Sequence, residues 1–199
     1  LDPEVYTNIQ YEYGYVPTLL TENYEDEIEL IEINDLGFSS FITPTDEIPD
    51  YYSLKAGKYP ESPYEVVLLV DEWNVVNIDI IASLGFDVSN ELYYEDVLGK
   101  ELFIALNDDL YVEQTNVFIP NFPDLETVKD NGITVSIVGI LQSNENTIDF
   151  SGDGIKYLYP LKEELLIENS NSTICQVQDS QETSVFDLAN LTEQEKEML

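Results

Sequence analysis

The sequence predicts a strand-dominated α+β fold with one main helix. Three observations carry that expectation. Glu65-Val-Val-Leu-Leu-Val70 is apolar on both parities, as expected of a strand covered on both faces. Ile133-Thr-Val-Ser-Ile-Val-Gly-Ile-Leu141 is a second β-branched run, with Ile133, Val135 and Ile137 facing inward. Between them, Trp73, Val76, Ile80, Ile81 and Leu84 recur at helical spacing. A hydrophobic fraction of 43% in 199 residues supports a sizeable core.

Taken in order, residues 1–24 are rich in Tyr, Thr, Asn and Pro. Tyr11, Tyr13 and Tyr15 alternate, which permits a strand or an extended tether, and residues 1–26 are read as an N-terminal extended segment. Residues 27–34 alternate and predict a strand. Residues 38–43 predict a short strand stopped by Pro44, and residues 45–52 a loop anchored by Ile48 and Tyr51. Gly57-Lys-Tyr-Pro-Glu-Ser-Pro63 cannot continue a helix and fixes a bend before the 65–70 strand. Asp71 reads as the N-cap of the main helix and Gly85 as its C-terminal glycine. Trp73 then falls on the helix's packed stripe.

Residues 90–98 predict a turn of helix ended by Gly99. Residues 100–106 predict a strand, Asn107-Asp-Asp109 a tight turn, and residues 110–119 its hairpin partner, closed by Pro120. Residues 121–131 and 143–154 read as loops, the second polar and mobile. Residues 156–159 predict a strand, and Pro160 opens a helix over 161–168. Residues 172–178 read as a strand. Residues 191–199 have helical character, with Thr192 and Glu195 at capping-box spacing. Residues 27–155 thus read as a mostly-β lobe and 156–199 as a return segment.

The charge restricts function. Seven cations, all lysine, face 41 acids, for a net charge of −34, and there is no histidine or arginine. Nucleic acid and anionic membranes are therefore repelled. Attractive partners are cationic peptides, basic protein patches and divalent ions. The preferred reading of the acidity is a solvated surface that keeps an exposed domain dispersed. Without histidine there is no Ser-His or Cys-His nucleophile, and Cys175, the single cysteine, reads as an inert thiol with no disulfide partner. With 41 acids a glycosidase-type carboxylate pair carries no information. No enzyme and no cofactor is expected.

Two candidate sites stand out. Asn144, Asn146, Asp149 and Asp153 cluster hard oxygen ligands suited to calcium. Their spacing is not that of an EF-hand and no bidentate Glu closes it, so ordinary loop polarity is the preferred reading. Tyr93 and Tyr94 suit a partner-docking face, or simple half-burial. No run approaches the ~20 apolar residues of a membrane span. A chain opening at Leu1, with no signal peptide visible, is expected to be a piece of something larger.

An ordered set of landmarks crosses about half the chain. Gly57-Lys-Tyr-Pro60 precedes Glu65-Val-Val-Leu68, and a helix ends at Leu84-Gly-Phe86. Val97-Leu-Gly-Lys-Glu-Leu102, Thr134-Val-Ser-Ile-Val-Gly-Ile140 and Lys156-Tyr-Leu-Tyr-Pro-Leu161 follow. This order resembles the extracytoplasmic (MacB-like periplasmic core) domain of FtsX/MacB-like ABC transporter permeases. The resemblance implies a porter-like α/β part with an inserted, mostly-β lobe, set between two membrane spans. It further implies a non-catalytic domain on the extracytoplasmic face of the cell membrane. There it would couple motion driven by a separate ABC ATPase subunit to an exported substrate or an extracytoplasmic protein or peptide partner. The acidity, the absence of arginine and the 107–131 excursion depart from the family pattern. The alternative expectation is a secreted or surface-anchored acidic module that binds calcium or cationic peptides.

Overall fold

The computed structural model describes residues 16–31, 33–71, 73–121, 124–144 and 152–192. The chain begins with β1 (Thr18–Glu22), β2 (Ile28–Ile31), α1 (Ile33–Leu36), β3 (Ser39–Ser40) and a 3-10 turn at Thr45–Glu47. Next come α2 (Ile48–Tyr51), β4 (Tyr52–Gly57), β5 (Glu65–Val70), α3 (Ile78–Ser83) and α4 (Tyr94–Val97). It continues through β6 (Glu101–Ala105), α5 (Asn107–Leu110), β7 (Tyr111–Gln114), β8 (Val117–Pro120) and α6 (Leu125–Asn131). It closes with β9 (Ile133–Ser143), β10 (Gly154–Tyr157), α7 (Tyr159–Ser170) and α8 (Thr173–Asp179). The fold is α+β and strand-dominated, as the sequence predicts.

Eight strands form one mixed sheet in the order β2-β1-β6-β9-β5-β10-β3, with β4 also paired to β9. β5 is covered on both faces. Val66, Leu68 and Val70 enter the main core with Ile80, Leu84, Leu161 and Leu165, while Val67 and Leu69 meet Phe41, Ile48, Tyr52 and Leu158 on the other side. Each of the five β5 apolar side chains is 2% exposed or less. Full burial of such a side chain contributes about 1.5–3 kcal/mol, so this strand is a principal source of stability.

β9 is the strand on which the sheet turns. β5 lies along one edge, and the other edge is shared. β6 pairs with residues 133–136, and β4 with residues 139–143. The handover occurs at a bulge, where Val66 and Val67 oppose Ile137 and Gly139 and skip Val138. The bulge turns two successive carbonyls to the shared edge. Ile137 O accepts from Gly99 N–H at 2.8 Å, and Val138 O from Lys58 N–H at 2.9 Å. It also changes the inward phase from Val135 and Ile137 to Ile140.

The crossing is close enough to dictate its residues. A Cβ on Gly57 would stand 2.1 Å from Val138 O, and one on Gly139 would stand 2.1 Å from Lys58 O. Gly57 also has φ +72, a left-handed conformation that side chains disfavour. The bend after it is held by Glu65, which accepts from Lys58 Nζ at 2.6 Å and Glu61 N–H at 2.7 Å. Those bonds, the Lys58 ones first, hold the Glu65 carboxyl below the usual carboxylate range.

Several expectations are corrected. Residues 110–119 do not pair with β6. β7 and β8 form their own hairpin, turning at Thr115 and Asn116 with φ +57 and +65, the two-residue turn that twisted hairpins favour. Within the expected 121–131 loop lies α6, whose Val128 packs on Leu20 and Phe103. Residues 172–178 are not a strand. Thr173–Asp179 is helical, and Ile174 packs on Phe118 and Val185. The main helix is α7, 12 residues long with Pro160 in its first turn, and α3 is only six residues. β1, in a segment allowed to be a tether, is a sheet strand with Leu19 and Leu20 buried on opposite faces. Residues 193–199 and Tyr11, Tyr13 and Tyr15 lie outside the described residues.

Candidate functional site: an apolar cavity beside Asp87

The loop from β5 to α3 is shaped by its polar side chains. Asp71 Oδ1 accepts from Trp73 N–H at 2.9 Å and Val75 N–H at 2.7 Å. Asn74 sits at φ +60, which Asn tolerates. Such side-chain bonds compete with helix formation, so the helix starts late. Its N-cap is Asn77, whose Oδ1 accepts from Asp79 N–H at 3.0 Å. Trp73 is therefore outside the helix and 75% exposed, which corrects its expected place in the packed stripe.

After α3 the chain makes a second polar turn. Asp87 Oδ1 accepts from Ser89 N–H at 2.9 Å and Ser89 Oγ at 2.6 Å, and Oδ2 accepts from Asn90 Nδ2 at 2.7 Å. The two Ser89 bonds, the hydroxyl first, hold the Asp87 carboxyl below its ordinary range, so it is anionic at neutral pH. Asp96 Oδ2 then accepts from Tyr93 N–H at 2.8 Å and fixes the start of α4. Tyr93 is 63% exposed and donates its hydroxyl to Glu91 at 3.0 Å. Tyr94 is half-buried against the main core.

The two turns and both short helices line an open cavity of about 420 Å³. Leu68 and Val97 are its buried lining, and Val75, Ile78, Val88 and Tyr93 its exposed lip, with Tyr94 and Asp87 also lining it. Its size falls in the range of small ligand pockets, about 300–1,000 Å³. Of the tyrosines expected at a docking face, both line this one cavity, in different roles. Sequence reasoning did not pick out Val75, Ile78, Asp87 or Val88. The available signal was Asp87-Val-Ser-Asn90, a side-chain-stabilised turn pattern beside an apolar residue.

The candidate calcium ligands are placed differently. Asn144 follows β9 and is bonded to α2 and β4. Its Oδ1 accepts from Ser53 Oγ at 2.5 Å and its Nδ2 donates to Asp50 O at 3.2 Å. Asp153 Oδ2 accepts from Asn77 N–H at 3.3 Å, at the start of α3. Asn146 and Asp149 lie outside the described residues. Among the described residues, no group of three or more Asp, Glu, Cys or His is arranged to hold a metal ion.

A second cavity of about 520 Å³ lies between α7, α8 and the 185–186 turn, with Tyr111, Ile174 and Cys175 in its wall. Cys175 is half-buried on α8, not in a strand. Asn107 Nδ2 lies 3.8 Å from its Sγ. With no imidazole in the chain, this thiol has no general base of that kind beside it. Chemically, both cavities are suited to binding.

Among the described residues, no helix is long and apolar enough to cross a membrane. The chain matches no family model, no curated protein and no solved structure.

Proposed function

We propose that this chain is a non-catalytic extracytoplasmic domain of an FtsX/MacB-like ABC permease, one that passes ATP-driven motion to an exported substrate or an extracytoplasmic partner. The observation that supports this reading is that three glycines of the resemblance's landmarks meet at the β9 handover. Gly57 ends β4, Gly99 leads into β6, and Gly139 sits in β9 beside the bulge. Glu65-Val-Val-Leu68 runs parallel along the opposite edge. Lys156-Tyr-Leu-Tyr-Pro-Leu161 returns through β10 into α7 on the far side of β5. Landmarks separated by about a hundred residues thus lie on neighbouring strands of one sheet, as expected if their order reflects a shared scaffold.

The working parts of the proposal are mechanical and adhesive. β9 links two groups of strands, β2-β1-β6 on one half of its edge and β4 on the other. A push on either group reaches β9 and, through it, β5, which is covered on both faces. The ATPase subunit acts through the membrane part of the full-length protein, and the cavity beside Tyr93 faces outward to a partner. The net charge of −34 disfavours nucleic acid as a partner.

The test is the topology of the intact gene product. Cells expressing it with an epitope in this region are fractionated and treated with external protease. The expected result is a membrane-bound protein, cleaved from outside, that co-purifies with an ATPase subunit in mild detergent. A protein released from the cell without membrane attachment would contradict the proposal and favour an acidic secreted binding module.

A further inference from the structure

The lip of the Tyr93 cavity leaves much apolar surface in water. Val75 is 56% exposed, Ile78 60%, Val88 44% and Tyr93 63%. Contiguous apolar surface beside a formed cavity is characteristic of a binding site. The charges held at its edge are carboxylates. Asp87 is the one charged residue in the cavity lining, and Glu91 accepts from the hydroxyl of the lining Tyr93; the sequence from 71 to 99 contains no lysine. Asp87 is fixed by three hydrogen bonds at the cavity itself, so its charge is already in place when a ligand arrives. Glu91 is likewise held, by the Tyr93 hydroxyl.

We infer that this cavity docks a basic protein segment that seats one large apolar side chain in it and directs flanking lysines or arginines to the rim carboxylates. The apolar side chain supplies affinity by filling a preformed hole over Leu68 and Val97. The carboxylates supply attraction at long range and orientation at short range. Their uniform sign selects a cationic segment. An anionic peptide, a phospholipid headgroup or a nucleic acid meets repulsion from Asp87 and Glu91. The cavity and its rim carry this inference by themselves, whichever assembly the chain serves, so it stands or falls separately from the permease proposal.

The experiment is calorimetric titration of the 199-residue chain with a short peptide whose Leu-Phe centre is flanked by two lysines on each side. Intrinsic fluorescence of Trp73, the single tryptophan in the chain, is followed in parallel. Saturable one-to-one binding is expected, weakened about tenfold or more when the centre is changed to Gly-Ser. No heat is expected when glutamates replace the flanking lysines. Tyr93→Ala should weaken binding about tenfold, the effect of truncating an interface aromatic. Val88→Lys sets a cation on an exposed position of the lip and should abolish binding while circular dichroism stays that of the parent. The inference is overturned if both variants bind like the parent, or if the Gly-Ser peptide binds as well as the Leu-Phe one. It is equally overturned if an uncharged Leu-Phe peptide matches the cationic one, or if no probe saturates.

Discussion

Gly139→Ala places a methyl group where β9 meets the chain leaving β4. The new Cβ would lie 2.1 Å from Lys58 O, more than 1 Å inside the 3.4 Å at which ordinary contact begins, and its next neighbours are also Lys58 backbone. Backbone cannot rotate aside as a long side chain can, so the Lys58 segment must move off β9. That movement stretches the Lys58 N–H to Val138 O bond, now 2.9 Å. Overpacking of this kind costs about 1–3 kcal/mol, and the lost hydrogen bond about 1 kcal/mol more. A total of about 2–4 kcal/mol corresponds to a Tm lower by roughly 5–15 °C. Gly57→Ala strikes the same crossing from the other side, at 2.1 Å from Val138 O, and adds about 1–2 kcal/mol for a left-handed side chain. Once one substitution has parted the strands, the second meets less resistance. The double variant should therefore lose at least about 0.5 kcal/mol less than the two single losses together. Gly99→Ala is the control for backbone strain alone, since nothing lies within 4 Å of its Cβ position but its φ is +86; it should cost about 1–2 kcal/mol. Urea titration followed by far-ultraviolet circular dichroism gives all four values. If Gly139→Ala lies within about 0.5 kcal/mol of the parent, the account of the handover is wrong.

Three further outcomes can be checked on the isolated chain. Raising sodium chloride from low to physiological concentration and beyond should raise Tm, because screening relieves the self-repulsion of a net charge of −34; a flat or falling Tm would mean that the acids are already neutralised by partners. Lys129 Nζ lies 2.7 Å from Glu22 Oε2, and that bond first, then the lysine's charge, lowers the Glu22 pKa from 4.5. A depressed carboxyl stabilises the fold above its unfolded pKa and loses that contribution as pH falls through the folded value. Lys129→Met should thus reduce stability by about 0.2–1 kcal/mol at pH 7, as for partly exposed pairs, with the difference vanishing in acid below the carboxylate range. Thr115 holds a β-branched side chain at φ +57 in the β7–β8 turn, so Thr115→Gly should stabilise the hairpin by a few tenths to about 1 kcal/mol in thermal melts.

The parts of the fold legible in the sequence are those where pattern and burial coincide. β5 and β9 are read correctly because continuous β-branched runs have few alternatives to a covered sheet position. The phase change along β9 was hidden. Gly139 marks it, but a single glycine in a strand does not state which neighbour approaches it. β4 escaped because an edge of β9 fixes it and its own Leu54 and Lys55 point to solvent. α8 was misread because Thr173, Ile174 and Val177 are β-formers locally, whereas the packing of Ile174 against Phe118 and Val185 decides for a helix. α6 shows its signal in retrospect. Asp124 precedes Leu125 and Val128 at helical spacing, and Gly132 follows. At the candidate site, the tyrosine pair was visible as composition. The cavity was not, because it depends on Asp71 and Asp87 folding two separate loops toward each other, and sequence spacing gives no distance between them.

Hydrogen exchange on the intact, membrane-embedded gene product tests the central proposal most directly. The protein, with its ATPase subunit, is compared in a hydrolysing state and in a state trapped by a nonhydrolysable nucleotide analogue. The proposal predicts that amides at the β9 handover, those of Lys58, Gly99 and Ile137, change protection between the two states while the doubly covered β5 does not. Identical exchange across the whole domain in both states would contradict it.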